Sequence, residues 1–200
     1  MSDGQRVRLR DIARGAIAGL GDTLTVNRGL LGLALANPDK PGSIGLLLER
    51  QAAKFPQQTA LRFEDRRWTH AEFNAWVNRI AAVLRLQGVA PGETVAILME
   101  NRPEALACVA ATVKLGAIAG MLNHQQRGEV LAHSLKLTGA RAVVFGEECG
   151  AALQSLPLGP AADGDRVWIW DGEGRQPGHC LDLRAACRDA STANPPRGRR

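Results

Sequence analysis

The sequence has no tyrosine, and its other large aromatics amount to four tryptophans and four phenylalanines in 200 residues. Binding of single-stranded nucleic acid rests on aromatic platforms interleaved with clustered positive charge, and that combination is missing. The formal charge is +5, but it sits at the ends of the chain. Arg6, Arg8, Arg10 and Arg14 stand against Asp3 and Asp11, and Arg197, Arg199 and Arg200 close the sequence, so the stretch between is balanced. No nucleic-acid partner is expected. Cys108, Cys149, Cys180 and Cys187 lack the close pairing of zinc ligands. His70, His124, His133 and His179 have no Cys or carboxylate at ligand spacing, so no metal residue is assigned. Also missing is a run of about eighteen uncharged apolar residues, which excludes a membrane-spanning helix. The first residues alternate Arg and Asp instead of leading into an apolar stretch, so no secretory leader is expected and reduced cytosolic thiols are the default.

What is present is a regular alternation of short apolar runs and helix-spaced segments. The hydrophobic share of 45% and charged share of 22% suit a soluble domain with a real core. Val95–Met99 (VAILM) reads as a buried strand. Asn101 is placed to cap the next helix, with Pro103 in its first turn and Glu104 at its positive end, and the helix is expected to run to about Leu115 with Gly116 as a left-handed stop. Ala117–Leu122 is a second apolar run. Arg127–Leu137 is again helical, with Val130, Leu131, Ser134 and Leu135 on one face and Gly139 as the stop. Ala142–Phe145 is a third strand. Strand, helix, strand, helix, strand with short connections predicts a parallel sheet covered by helices.

The pattern extends on both sides. Ser43–Lys54 is expected to be a helix stopping near Pro56, and Thr59–Phe63 with Arg67–Trp68 a short hairpin. Thr69 and Glu72 have the form of a capping box, opening a helix that carries Phe73, Trp76, Val77, Ile80 and Leu84 at helical spacing and ends at Gly88. Downstream, 146–165 is loop-rich around one turn of helix, Val167–Trp170 (VWIW) is a fourth strand, and Leu181–Asp189 is a last helix. In the amino-terminal arm, Leu9, Ile12, Ala16, Ile17, Leu20 and Leu24 recur at helical spacing beside arginines, which suits either packing on its own domain or contact with a membrane surface. Gly15, Gly19 and Gly21 weaken that helix. Two glycine-bearing stretches, Leu137–Arg141 and Gly172–Gly178, are poor phosphate cradles. The first is a helix stop, and the second lacks both a lysine and a following helix.

Met99-Glu-Asn-Arg-Pro-Glu104, Lys114-Leu-Gly-Ala117, Leu122-Asn123, Arg127-Gly-Glu129 and Ala132-His-Ser-Leu135 form an ordered series. Together with Trp68-Thr69, Glu72, Asn74 and the turn from Gly88 to Val95, this series resembles the amino-terminal region of AMP-forming acyl-CoA synthetases in the adenylate-forming superfamily. The Arg-Gly-Glu and Ala-His-Ser-Leu pieces most resemble the very-long-chain acyl-CoA synthetase and fatty-acid transport protein branch. The resemblance covers 43–146 well and the remainder loosely. It implies an α/β fold of parallel-sheet layers with flanking helices, an incomplete amino-terminal part of the adenylate-forming enzyme fold. It also implies that residues 43–190 are a partial AMP-binding domain, preceded by the arm 1–42 and followed by a Pro/Arg-rich tail, 191–200.

Enzymes of that family join a fatty acid to coenzyme A through an acyl-adenylate, consuming ATP with Mg²⁺ and releasing AMP and pyrophosphate. The resemblance implies fatty acid, ATP, Mg²⁺ and coenzyme A for the full-length enzyme. The family's Ser/Thr/Gly-rich loop ending in Lys, its later Thr-Glu motif, its ribose-binding Asp and its carboxy-terminal Lys have no counterpart in these 200 residues. The tail STANPPRGRR resembles the stretch that precedes that loop. No catalytic, cofactor-binding or metal residue is therefore assigned, no cofactor is expected on this chain alone, and the chain is expected to be an inactive amino-terminal piece. It is expected in the cytoplasm, with contact at the inner face of the membrane open to residues 1–42. Two alternatives stand beside this reading: a non-catalytic lipid- or partner-binding α/β module, and an unrelated doubly wound enzyme with its crevice at the carboxyl ends of its strands. At those ends Asn101 and Asn123 read as caps and turn formers.

Overall fold

The computed structural model describes residues 43–157 and 166–196, which belong to the unit 42–200 of the chain. The arm 1–42, part of the loop before Val167 and the end of the tail lie outside the described residues. Helix α1, Ile44–Lys54, begins where Ser43 Oγ accepts the Leu46 amide at 3.1 Å. Strands β1 (Thr59–Phe63) and β2 (Arg66–Thr69) form the expected antiparallel hairpin. Helix α2, His70–Leu86, opens with the expected capping box. The Glu72 amide donates to Thr69 Oγ1 at 3.2 Å, and the Thr69 amide donates to Glu72 Oε2 at 2.8 Å. Its apolar stripe buries Phe73, Val77, Ile80 and Leu84, each worth about 1.5–3 kcal/mol when removed from water. Trp76 is half-buried and stacks on Trp68 of the hairpin, with ring centroids 5.6 Å apart.

The main sheet follows. Its elements are β3 (Thr94–Leu98), α3 (Pro103–Lys114), β4 (Ile118–Met121), α4 (Gly128–Thr138), β5 (Ala142–Gly146), a 3-10 turn at Glu147–Cys149, α5 (Gly150–Gln154), β6 (Val167–Asp171), β7 (Leu181–Asp182) and α6 (Leu183–Arg188). The five strands lie in the order β4-β3-β5-β6-β7, and every neighbouring pair is parallel. Both faces are covered, which is why the strands read as continuous apolar runs. Val95, Ile97, Ala142, Val144 and Ile169 point to the face that carries α2, α3 and α6. Ala96, Leu98, Val143, Phe145, Trp168 and Trp170 point to the opposite face, under α4 and α5. The chain moves from β3 to β4 over one face and back past β3 to β5 over the other, which gives the two crossovers the same hand. Gly116 sits at φ +73, and its carbonyl accepts the Gly92 amide at 2.9 Å; a side chain there would be strained.

Three expectations are corrected. The N-cap of α3 is Arg102, not Asn101, and it makes no side-chain capping bond. Pro103 at the first helical position has no amide to satisfy, which lessens the need for a cap, and the Arg102 side chain is used elsewhere. Val130 does not share the face of Leu131 and Leu135: it is 61% exposed, while they are buried. The stretch 181–189 is not one helix. Leu181 and Asp182 first pair with Ile169 and Trp170 as a fifth strand. Asp182 then caps α6 by accepting the Ala185 amide at 3.0 Å.

Candidate functional site at the carboxyl edge of the sheet

In a doubly wound parallel sheet the ligand crevice lies beyond the carboxyl ends of the strands, where the winding direction reverses. Here that place is between β3 and β5, bordered by residues 99–102, 146–148 and 171–173. Three of the strands end in charge: Glu100 and Arg102 follow β3, Glu147 and Glu148 follow β5, and Asp171 closes β6.

These side chains fill the crevice with ion pairs. Arg102, with 17% of its side chain exposed, reaches three carboxylates. Its Nε is 3.1 Å from Glu148 Oε1, its Nη2 is 2.8 Å from Asp171 Oδ2, and its Nη1 is 3.7 Å from Glu104 Oε2. Asp171 Oδ2 lies off the N–H axis and forms no hydrogen bond, so that contact is one of charge; Nη2 instead donates to the Asp171 carbonyl at 3.2 Å. Asp171 Oδ1 accepts from Arg184 Nε at 2.9 Å, and Arg184 Nη1 reaches Glu173 at 2.6 Å. On the other flank Arg66 of the hairpin grips Glu104 through both nitrogens, at 2.7 and 3.4 Å. Its guanidinium also lies 5.0 Å above the Trp68 ring. Burial pushes the Glu104 carboxyl up. The hydrogen bonds from Arg66 and its own amide, with the charges of Arg102 and Arg66, outweigh burial and hold it below the usual carboxylate value.

Three backbone donors of the crevice are also taken. Glu147 Oε2 accepts the amides of Glu173 and Gly174 at 2.7 and 3.1 Å, and these bonds lower its pKa. Glu148 Oε1 accepts the Glu100 amide at 3.0 Å. Gly146 and Gly174 admit these carboxylates, since a Cβ at either position would collide with Glu148 or Glu147. The cradle an ATP triphosphate requires is a set of vacant amides beside cations. Here those amides hold Glu147 and Glu148, and carboxylates outnumber guanidiniums. These residues do not fit a triphosphate.

The other sequence candidates are dispersed. Asn101 is exposed, and Asn123 Oδ1 accepts the Gln125 amide at 2.9 Å as a turn former. Leu137–Arg141 is a helix stop with Gly139 left-handed at φ 54. The Gly172–Gly178 stretch is the loop whose amides Glu147 holds. His70 opens α2, His124 follows β4, His133 lies on α4 and His179 precedes β7, and no group of three or more His, Cys, Asp or Glu that could hold a metal is found among the described residues. The four thiols are buried. Burial raises Cys149 and Cys187 to about 11, and Cys108 higher still, which leaves little thiolate for nucleophilic chemistry. No helix among the described residues is long and apolar enough to cross a membrane.

The ion-pair cluster was missed by motif reading because its members come from residues as far apart as 66 and 184. The signal that would have found it is charge at the carboxyl ends of three apolar strands, β3, β5 and β6, since parallel strands bring those positions to one edge.

Fold and site together define a doubly wound parallel α/β unit with a crevice closed by its own charges. The chain belongs to the AMP-binding enzyme family, whose model matches residues 48–197. It is 43% identical over 153 residues to the medium/long-chain-fatty-acid–CoA ligase FadD6 of Mycobacterium tuberculosis, covering 73% of this chain and 26% of that protein. It is also 43% identical over 89 residues to long-chain fatty acid transport protein 1 of Bos taurus, covering 44% of this chain and 14% of that protein. Among solved structures, the inhibitor-bound N-terminal domain of FACL13 from Mycobacterium tuberculosis superposes with a TM-score of 0.67 at 27% identity, over 78% of this chain and 38% of that one. The expected family and the expected amino-terminal fold are thus both borne out. The chain spans about a quarter of the length of the FadD6 ligase it matches.

Proposed function

We propose that this chain is the amino-terminal sheet wall of a long- or very-long-chain fatty acid CoA ligase, and that alone it forms no acyl-CoA. The observation that carries the second half is the filled crevice. Glu147 and Glu148 take backbone amides and carboxylates engage Arg102, where a nucleotide in this crevice would need free donors. The identity shared with a fatty-acid CoA ligase supports the first half. On this reading fatty acid, ATP, Mg²⁺ and coenzyme A are handled by chain beyond these 200 residues, and this unit contributes scaffold. The purified chain given ATP, Mg²⁺, oleate and coenzyme A should yield no thioester, and robust turnover would overturn the reading. We place the protein in the cytoplasm and assign any contact with the inner face of the membrane to residues 1–42. Sedimentation with liposomes that survives removal of those residues would count against that assignment.

A second reading, a partner-binding module, draws on one feature. The edge strand β4 exposes Ile118 and Met121 at 55% and 57%, and α4 exposes Val130 and Leu137 at 61% and 74%. Open, uncharged edges invite strand addition. Concentration-dependent association of the chain, abolished by Met121→Lys, would favour it.

A further inference from the structure

Lys114 closes the last turn of α3, where a cation suits the helix dipole, yet its side chain turns inward and is wholly buried. A buried ammonium is costly unless each donor is met. The Nζ donates to Asn78 Oδ1 at 2.7 Å, to Asn74 Oδ1 at 2.5 Å and to Asn194 Oδ1 at 3.1 Å, and the Glu49 carboxylate lies at 3.6 Å. Three acceptors use the three donors of an ammonium, one more than a neutral amine has. Asn74 and Asn78 are one turn apart on α2, Glu49 is on α1, and Asn194 lies in the irregular segment after α6.

That segment is held by the same knot. The Asn78 amide group donates to the Thr192 carbonyl at 2.7 Å and to Asn194 Oδ1 at 2.8 Å, and Asn74 Nδ2 adds a bond to Asn194 Oδ1 at 3.1 Å. Ser191 to Asn194 are exposed and form no strand, so sheet pairing does not fix them. Lifting the segment away would strip an acceptor from a buried ammonium and from two buried or half-buried amides.

We infer that Lys114 is the anchor of a strap, its buried ammonium fastening Thr192–Asn194 to α2 and α3 and so fixing the path of the chain after α6. The inference is independent of the ligase reading. It separates a local fastening from a general contribution to the core, and the two differ in how far a perturbation spreads. The measurement is ¹⁵N backbone order parameters on the full chain, for wild type, Lys114→Met and Asn194→Ala. In the wild type Ala193 and Asn194 should be as ordered as the sheet, about 0.85. In both variants these positions should fall below about 0.6 while β3 and β5 stay unchanged. Asn194→Ala leaves Glu49, Asn74 and Asn78 around the ammonium, so it decides alone if Lys114→Met does not fold. A wild-type segment already below about 0.6, unchanged order in Asn194→Ala, or equal loss throughout the sheet would each overturn the inference.

Discussion

Replacing Arg102 with methionine keeps most of the aliphatic stem and removes the charge shared by Glu104, Glu148 and Asp171. Breaking a buried ion pair from one side costs about 3–5 kcal/mol, because the abandoned charge stays buried. Two of the three carboxylates here keep a second guanidinium: Asp171 has Arg184 at 2.9 Å and Glu104 has Arg66 at 2.7 Å. Glu148, with 25% of its side chain exposed, keeps the Glu100 amide. The expected loss is therefore below that range, about 2–3 kcal/mol, seen as a fall of about 1–1.5 M in the urea midpoint for a slope near 2 kcal/mol/M. A double-mutant cycle with Glu148→Gln should show a coupling of about 1 kcal/mol. The acid limb adds a second signature. The folded-state pKa of Glu104 lies below its ordinary value of 4.5. Its contribution is thus complete above the ordinary value and is lost as pH falls through the lower, folded one. Without Arg102 that depression shrinks, so the gap between variant and wild type should narrow on acidification. A midpoint shift under about 0.3 M, or additivity with Glu148→Gln within about 0.5 kcal/mol, would refute the shared-cation account.

Two further predictions test the packing. A Cβ at Gly45 would lie 2.6 Å from Lys114 Cγ, so Gly45→Ala should lose about 1 kcal/mol net, overpacking outweighing the helix-propensity gain. Gly150→Ala, with nothing within 4 Å, should leave the melting temperature unchanged or higher. The elevated thiol pKa values of Cys149 and Cys187, about 11, predict no reaction with an aromatic disulfide reagent at pH 8 until guanidinium unfolds the chain; fast native labelling of Cys187 would contradict their burial.

The strands were legible because both faces of a parallel sheet are buried and the pattern reduces to apolar runs such as VAILM and AVVFG. The capping box at Thr69 was legible because its two bonds are local. Strand β7 was hidden because two residues give no period, and Leu181–Asp182 merges with the helix that Asp182 caps. Val130 fits the helical stripe by spacing, but α4 buries a narrower face than the spacing allows. The crevice cluster and the Lys114 knot were invisible for a shared reason. Both are assembled from charges and amides that the chain brings together over long separations, and a lysine ending a helix looks like any solvated last-turn cation.

The order of strands in the sheet also describes a history. The earliest strand of the sheet to leave the ribosome, β3, is interior, and each later one finds a neighbour already made: β4 on one side, then β5, β6 and β7 in turn on the other. Such a sheet can accrete in the direction of synthesis, without waiting for a distant partner. Asn194 is the exception. It arrives 80 residues after the lysine it must meet, so the last bond to form is one that the middle of the chain has been holding open.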